Sequence, residues 1–319
     1  MTAVGSRDPL TGVGPVLAAT ACRHGVDFHA STTGVAAHGA WTAAGWSPLS
    51  GNWIESVCQS FADGRSIDGR GPLTPWSVVA WDGSAGLLRA YCEGGSGPGL
   101  LWWHDRLDRL VIGSHPGPVV ARAGSATELD PRYLLGHLML HDPPGWTPYR
   151  GIHRLPPGWE LQWRPGTAPS LRRWWRPELI EVSGSRNLDD SIDLYLDALD
   201  SAVSAHLPET GDVAAAMSAG LDSTMVVASA AQLLAGSGRR VRSFVSAPVP
   251  GSVGPGHGNW DNDEAPLARS FASSVGGVDV ETVLNVRHEL DIDLADERAE
   301  RTWLPSHSSR NAVWFTEIM

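Results

Sequence analysis

The sequence is poor in the features that mark secreted, membrane and nucleic-acid-binding proteins. Its 319 residues include three cysteines, an odd number with no CxxC pair, which argues against a disulfide framework and a cysteine metal site. A reduced, cytoplasmic compartment is therefore expected. The sequence has no run of about 18 apolar residues that would predict a membrane span, and residues 1–16 lack the apolar core of a secretory signal. The net charge of −11 argues against nucleic acid as a partner.

Residues 1–182 predict a domain of short antiparallel strands and a few helices. Apolar runs separated by glycine and proline are interpreted as one antiparallel meander, with strands at residues 76–82, 86–92, 100–103 and 109–113. A further strand is predicted at residues 159–163. Asp130 is interpreted as the N-cap of a helix over residues 132–140, with Pro131 at the first helical position.

Residues 187–319 predict a second domain with a parallel, Rossmann-like sheet. Asn187 is expected to cap a helix, and the apolar face of that helix comprises Leu188, Ile192, Tyr195, Leu199 and Val203. Its aspartates are interpreted as a solvated face. The order strand, helix, strand, helix, strand then predicts a doubly wound fold, with elements at residues 212–217, 224–234, 241–246, 264–275 and 278–284. The first strand lacks alternation and is expected to be buried on both faces.

The segment 218–224, with the sequence SAGLDST, lies between that strand and its helix. At the carboxyl end of a parallel strand, small residues let a phosphate approach the unpaired N–H groups of a helix start. Ser218, Ser223 and Thr224 add hydroxyl donors, and Asp222 would hold Mg²⁺ that bridges phosphate oxygens. The loop lacks the lysine of the GxxxxGK[ST] motif. The residues alone also allow a plain capped helix, with Ser218 as its N-cap.

This segment resembles the SGGLDS signature of the asparagine synthetase family, with Ala219 in place of one glycine. Asp263 and Glu264 resemble the family's "DE…A" element, and residues 151–158 and 175–177 resemble the marks that end its N-terminal domain. The resemblance implies an adenine-nucleotide α-hydrolase-like domain that cleaves ATP to AMP and pyrophosphate. More weakly, it implies a glutamine amidotransferase-like sandwich of antiparallel sheets and helices in the first domain.

Glutamine-hydrolysing members of this family carry a catalytic cysteine directly after the initiator methionine, whereas this sequence has Thr2. The departure implies a degenerate amidotransferase domain and an amine supplied by the substrate, as in β-lactam synthetases and, more closely, lasso peptide cyclases. The latter resemblance implies a precursor peptide as substrate, with a leader-peptide-binding recognition protein and a leader protease as partners. Two alternatives stay open: an asparagine synthetase using aspartate with ammonia or glutamine, and a non-catalytic scaffold that binds the precursor.

The resemblance also implies functional roles for further residues, both inside and outside segment 218–224. The nucleotide-binding set that it implies, beside ATP and Mg²⁺, is Ala216, Met217, Ser218, Ala219, Gly220, Leu221, Asp222, Ser223, Thr224, Val245, Ser246 and Glu264. Glu300 would lie near the acceptor, or be an ordinary helix acid, and Arg310 would contact a carboxylate or phosphate. The family's second metal-binding stretch is expected after a helix at residues 311–319, beyond Met319. The synthetase domain is therefore expected to be truncated or to be completed by a second polypeptide.

Overall fold

The computed structural model describes residues 17–28, 34–46, 53–65, 67, 74–95, 99–124, 128–142, 144–180, 187–251, 263–284, 286 and 301–305. The chain divides into two compact units with a boundary between Glu181 and Val182, and residues 301–305 belong to the first unit. In the part of the chain that the structure describes, no helix has the length and apolar character needed to cross a membrane.

The first unit is built from two antiparallel sheets and three helices. In chain order it contains β1 (Ala18–Cys22), β2 (Gly25–Phe28), β3 (Gly34–His38), β4 (Trp41–Trp46), α1 (Trp53–Ala62), β5 (Ser77–Asp82), β6 (Leu87–Cys92), β7 (Leu100–His104), β8 (Leu110–Gly113), α2 (Pro116–Ala123), α3 (Pro131–Leu138), β9 (His153–Leu155), β10 (Trp159–Trp163) and β11 (Ser170–Arg173). One sheet has the order β2-β1-β8-β7-β9 and the other the order β11-β10-β6-β5-β4-β3.

The prediction of a single meander is wrong, because β6 and β7 lie in different sheets. Each strand has enough apolar residues to bury one face. This apolar pattern does not determine with which strands, or in which sheet, a strand pairs. The cap at Asp130 is confirmed, since its carboxylate accepts a hydrogen bond of 2.9 Å from the backbone N–H of Arg132. The helix α3 begins at Pro131 and ends at Leu138, two residues earlier than predicted.

Alternating side chains along the strands create three apolar layers in this unit. Val79 and Trp81 of β5 belong to the central core, which residues of both sheets share. Val78 and Ala80 point the other way and pack with residues of α1. The outer face of the five-stranded sheet packs against α2. Helices therefore cover both outer faces of a two-sheet sandwich, as period-two alternation requires.

The second unit has a parallel sheet with the order β12-β13-β14. Its elements are α4 (Leu188–His206), β12 (Val213–Ala216), α5 (Leu221–Leu233), β13 (Val241–Ala247), α6 (Ala265–Val275) and β14 (Val278–Leu284). The predicted order of elements is confirmed. Asn187 caps α4 by accepting a 2.8 Å hydrogen bond from Asp190 N–H. Val241, Ser243, Val245 and Ala247 alternate into the core beneath the helices.

Two predicted burial patterns of this unit are wrong. Ala214 and Ala216 of β12 are exposed, because the described helices cover only the opposite face of this short strand. The helix α4 also leaves much of its apolar stripe in solvent: Leu188 is 74% exposed and Tyr195 is 53% exposed. The helix α4 has 19 residues, whereas α5, against which it packs, has 13. One part of α4 therefore extends beyond α5.

Candidate functional site

The segment between β12 and α5 turns the chain out of the sheet within four residues. Met217 continues the strand pairing for one residue, since its N–H donates to the Phe244 carbonyl at 2.9 Å. The helix then begins at Leu221, with Gly220 as a backbone N-cap and no side-chain cap. The prediction of a helix start at Thr224 is therefore wrong, and Ser218 is not the N-cap that the alternative of a plain capped helix required. An uncapped helix start keeps N–H groups free to bind an anion.

Ser218 and Ser223 hold the shape of this turn. Their hydroxyl oxygens lie 3.0 Å apart, and the Ser223 hydroxyl accepts a 3.1 Å hydrogen bond from Ser218 N–H. The Ser218 hydroxyl in turn accepts from Gly220 N–H at 3.1 Å. A Cβ at Gly220 would approach the Ser218 hydroxyl to 3.1 Å, so a larger residue would require that hydroxyl to shift by a few tenths of an ångström. The two serines thus fix the backbone that a phosphate would contact.

Thr224 faces its own helix. Its hydroxyl donates to the Gly220 carbonyl at 2.9 Å and lies 3.0 Å from the Leu221 carbonyl, and the residue is buried. The structure therefore directs this hydroxyl into the first turn, where it stabilises the helix start. Leu221 is 80% exposed, and its contribution to the segment is its backbone at the helix start.

Asp222 lies exposed in the first turn of α5. Within the described ranges, its carboxylate has no hydrogen-bond or ion-pair partner, so both oxygens are open to solvent or to a ligand. An acid in the first turn is also favoured by the helix dipole. No group of three or more histidine, cysteine, aspartate or glutamate side chains in the described ranges could hold a metal ion.

Glu264 reaches the segment from the neighbouring strand-to-helix connection. Its carboxylate accepts a hydrogen bond of 3.3 Å from the Ala219 N–H, although 45 residues separate the two. Asp263 provides the side-chain acceptor at the start of α6, because its carboxylate accepts a hydrogen bond of 3.0 Å from the Ala265 N–H. Glu264 is consequently released from capping its own helix, and it links the two connections at the carboxyl edge of the sheet.

The four strand-end residues of the predicted nucleotide-binding set, whose backbone we expect to face adenine, divide between two faces of the sheet. Met217 and Val245 are buried in the core on the helix side. Ala216 is exposed and Ser246 is half-buried. Phe244 pairs with Ala216 across the strands and alternates with Val245, so it shares the open face with Ala216 and Ser246. The sequence reasoning missed Phe244, although period-two alternation through the strand could have found it.

Glu300 and Arg310 lie outside the described residues. The nearest described position to Glu300 is Arg301, whose carbonyl contacts a residue of the first unit, His115, at 2.8 Å. The structure brings together the segment, Asp222 and Glu264, and it does not bear on the predicted acceptor-side residues.

A comparison with known families covers this edge of the sheet. Residues 194–309 match the sequence model of the family described as "Asparagine synthase". This part of the chain is similar to asparagine synthases. The match includes the segment 218–224 and Glu264, and the residues before 194 lie outside it. Members of the family are ATP-dependent, AMP-forming carbon–nitrogen ligases, and the chain is an enzyme of this class.

Two further comparisons add little to the asparagine synthase match. No curated protein gives a significant match to the sequence. Among solved structures, the chain is similar at 10% identity and a TM-score of 0.27 to the "allosteric regulatory enzyme of purine biosynthesis", over 86% of this chain and 75% of that chain. The chain is also similar to glutamine phosphoribosylpyrophosphate amidotransferase from B. subtilis complexed with ADP and GMP. The identity is 10% and the TM-score is 0.26, over 86% of this chain and 75% of that chain. These TM-scores are too low to support an argument about fold.

Proposed function

We propose that the enzyme uses ATP bound at residues 218–224 to adenylate a carboxylate and then joins that carboxylate to an amine of its substrate. The observation that carries the proposal is the uncapped start of α5, shaped by Ser218 and Ser223 within the asparagine synthase match. Its free N–H groups suit the β- and γ-phosphates, which depart together as pyrophosphate.

The proposed reaction has two steps that balance in atoms and charge. An oxygen of the substrate carboxylate attacks the α-phosphorus of ATP, the bond to the bridging oxygen breaks, and pyrophosphate leaves. The substrate amine then attacks the acyl carbon, AMP leaves with its oxygen, and the nitrogen loses a proton. The residues of the segment contribute by holding the phosphates in line and by placing N–H dipoles where negative charge develops.

Mg²⁺ fits this site as a partner of ATP. In such sites Mg²⁺ is usually held by one or two carboxylates together with the substrate phosphates. Asp222 would supply the first carboxylate, and its exposed oxygens have no described partner. The phosphates of ATP carry several negative charges that need neutralisation. When bound, the ion would supply that neutralisation.

The amine is proposed to come from the substrate because two of the three cysteines are buried and are poorly suited to attack glutamine. Position 2 is Thr2, and the three cysteines lie at Cys22, Cys58 and Cys92. Cys58 and Cys92 are buried, and burial raises the pKa of the Cys92 thiol to about 12. A buried, protonated thiol is a poor nucleophile. This supports the reading of the first unit, proposed as residues 1–182, as a degenerate amidotransferase-like domain.

The substrate class that we propose is a precursor peptide, cyclised as in a lasso peptide through a macrolactam between an acidic side chain and the N-terminal amine. A leader-peptide-binding recognition protein and a leader protease would then be functional partners. The proposal of a peptide follows from the proposal that the substrate supplies the amine. Glu300 and Arg310 remain the proposed acceptor-side residues.

The test is ATP–pyrophosphate exchange by the full chain with candidate precursor peptides, beside aspartate as the competing substrate. We expect exchange that depends on a peptide and is lost in Asp222→Ala but retained in the surface control Asp189→Ala. Exchange with aspartate alone would favour an asparagine synthetase, the reading that the family description itself suggests. Robust glutamine hydrolysis would rule out the cyclase, and peptide binding without any ATP binding would indicate a scaffold.

A further inference from the structure

Glu264 occupies part of the surface that the proposed function assigns to phosphate. Its carboxylate lies 3.3 Å from the Ala219 nitrogen, in the segment that leads into the uncapped start of α5. Two properties of this edge attract anions: free N–H groups and the positive end of the helix dipole. A carboxylate of the protein itself is thus already satisfying one of the N–H groups that a phosphate would seek.

The charge of this carboxylate is not neutralised by any residue that the structure describes. In the described part of the chain, no arginine or histidine forms an ion pair with Glu264 or with Asp222. The side chain is also not needed at α6, because Asp263 provides the acceptor for Ala265 N–H. Among the described residues, Glu264 is therefore held only by its contact with the segment, which an incoming anion could replace.

We propose that Glu264 is a resident counter-anion that makes nucleotide binding depend on a divalent cation. This inference builds on the proposed function, since it names how the same site is regulated. In the nucleotide-free enzyme the carboxylate satisfies the Ala219 N–H. A metal-free nucleotide meets Glu264 as a like charge within a few ångströms, and that repulsion weakens its binding. A divalent cation that accompanies the phosphates offsets the repulsion, so the metal complex binds well.

Two other roles for Glu264 lead to the opposite result. If the carboxylate bound the nucleotide directly, for instance by accepting a hydrogen bond from a ribose hydroxyl, its loss would weaken binding with and without metal. If it only stabilised the turn, its loss would affect folding but not the metal dependence of binding. The dependence of affinity on metal is thus the quantity that distinguishes these roles.

The experiment compares the affinity of ATP for the full chain in Mg²⁺ and in excess EDTA, by calorimetry, for the wild type, Glu264→Gln and Asp263→Asn. Gln keeps the shape and an acceptor for Ala219 N–H but removes the charge. We expect Glu264→Gln to bind metal-free ATP about fivefold more tightly than the wild type, with less than about a twofold difference in Mg²⁺. Asp263→Asn removes a neighbouring charge at the same helix start and should behave like the wild type.

Inorganic pyrophosphate serves as a second probe, because it carries the phosphates without adenine and should show the same gain in EDTA. Equal or weaker binding of metal-free ATP by Glu264→Gln would overturn the inference, as would an equal gain in Asp263→Asn. Failure of the proposed function has a different signature: the wild type would not bind ATP even with Mg²⁺. Circular dichroism of each variant confirms that the comparison is made between folded proteins.

Discussion

The hydroxyl of Tyr149 donates a hydrogen bond of 2.6 Å to the main-chain oxygen of Trp303, across 154 residues of chain. Beside it, the Nε2 atom of His115 lies 2.8 Å from the Arg301 carbonyl, and the indole of Trp303 packs on the apolar cluster beneath α2. Residues 301–304 fall within the asparagine synthase match, yet they are built into the first unit. The first unit therefore includes a short stretch of the residues that match the asparagine synthase model.

Tyr149→Phe tests the strength of this attachment. Burial raises the pKa of the Tyr149 phenol, which therefore stays a neutral donor across the usual pH range. Removing the hydroxyl leaves the Trp303 carbonyl without this donor, so we expect a loss of about 1–2 kcal/mol in the free energy of unfolding. Denaturant unfolding measures it. Tyr195→Phe on exposed α4 is the matched control, expected within about 0.5 kcal/mol of the wild type, and equal losses in the two variants would contradict the prediction.

The environment of Glu160 predicts that the first unit loses stability at acidic pH. Its fully buried carboxylate accepts hydrogen bonds from Arg89 and Tyr91, both at 2.6 Å, and from Arg172 at 2.8 Å. Burial raises its pKa, but these hydrogen bonds outweigh burial and hold the pKa below its usual range. A carboxyl group with a lowered folded-state pKa stabilises above its unfolded pKa of about 4.3 and loses that contribution as the pH falls further.

The measurement is the free energy of unfolding between pH 7 and pH 3, for the wild type and Glu160→Gln. At pH 7 the variant should be less stable by about 3 kcal/mol, because the largely buried guanidinium of Arg89 and the exposed guanidinium of Arg172 both lose their charged partner. It should also lose less stability on acidification than the wild type. An acid limb of the same steepness in both proteins would show that other carboxylates control the transition.

Ser223→Ala tests the serine pair that shapes the nucleotide segment. The variant removes the hydroxyl that accepts from Ser218 N–H. A misplaced segment should weaken ATP binding about fivefold, the equivalent of one net hydrogen bond of about 1 kcal/mol. The control is Ser273→Ala, whose hydroxyl bonds only to the Arg269 carbonyl of α6. Unchanged ATP affinity in Ser223→Ala would mean that the pair has no part in the site.

Much of the second unit follows from its sequence because its elements are dictated locally. The strand β14 occupies the predicted residues 278–284, since an apolar, β-branched run is bounded by glycines on its N-terminal side. Asn187 could be predicted as a cap from its side chain and the acidic first turn that follows.

The start of α5 could not be predicted, because several residues of the segment are good caps and their hydrogen bonds decide between them. Ser218 is used inside the turn, where its hydroxyl accepts from Gly220 N–H, and Gly220 becomes the cap. The contact between Glu264 and Ala219 joins positions 45 residues apart and depends on how two strands pair. The pairing of β6 and β7 in different sheets is non-local in the same way.

The central claim, that residues 218–224 form an ATP site with Asp222 at its metal, is tested most directly by equilibrium binding of ATP with Mg²⁺ to the full chain. The wild type should bind one ATP saturably, and Asp222→Ala should bind about tenfold or more weakly, since a metal bridge to phosphate contributes more than about 1.4 kcal/mol. Asp189→Ala, an exposed acid in the first turn of α4, should bind like the wild type. Wild-type affinity in Asp222→Ala, or no saturable binding by the wild type, would contradict the account.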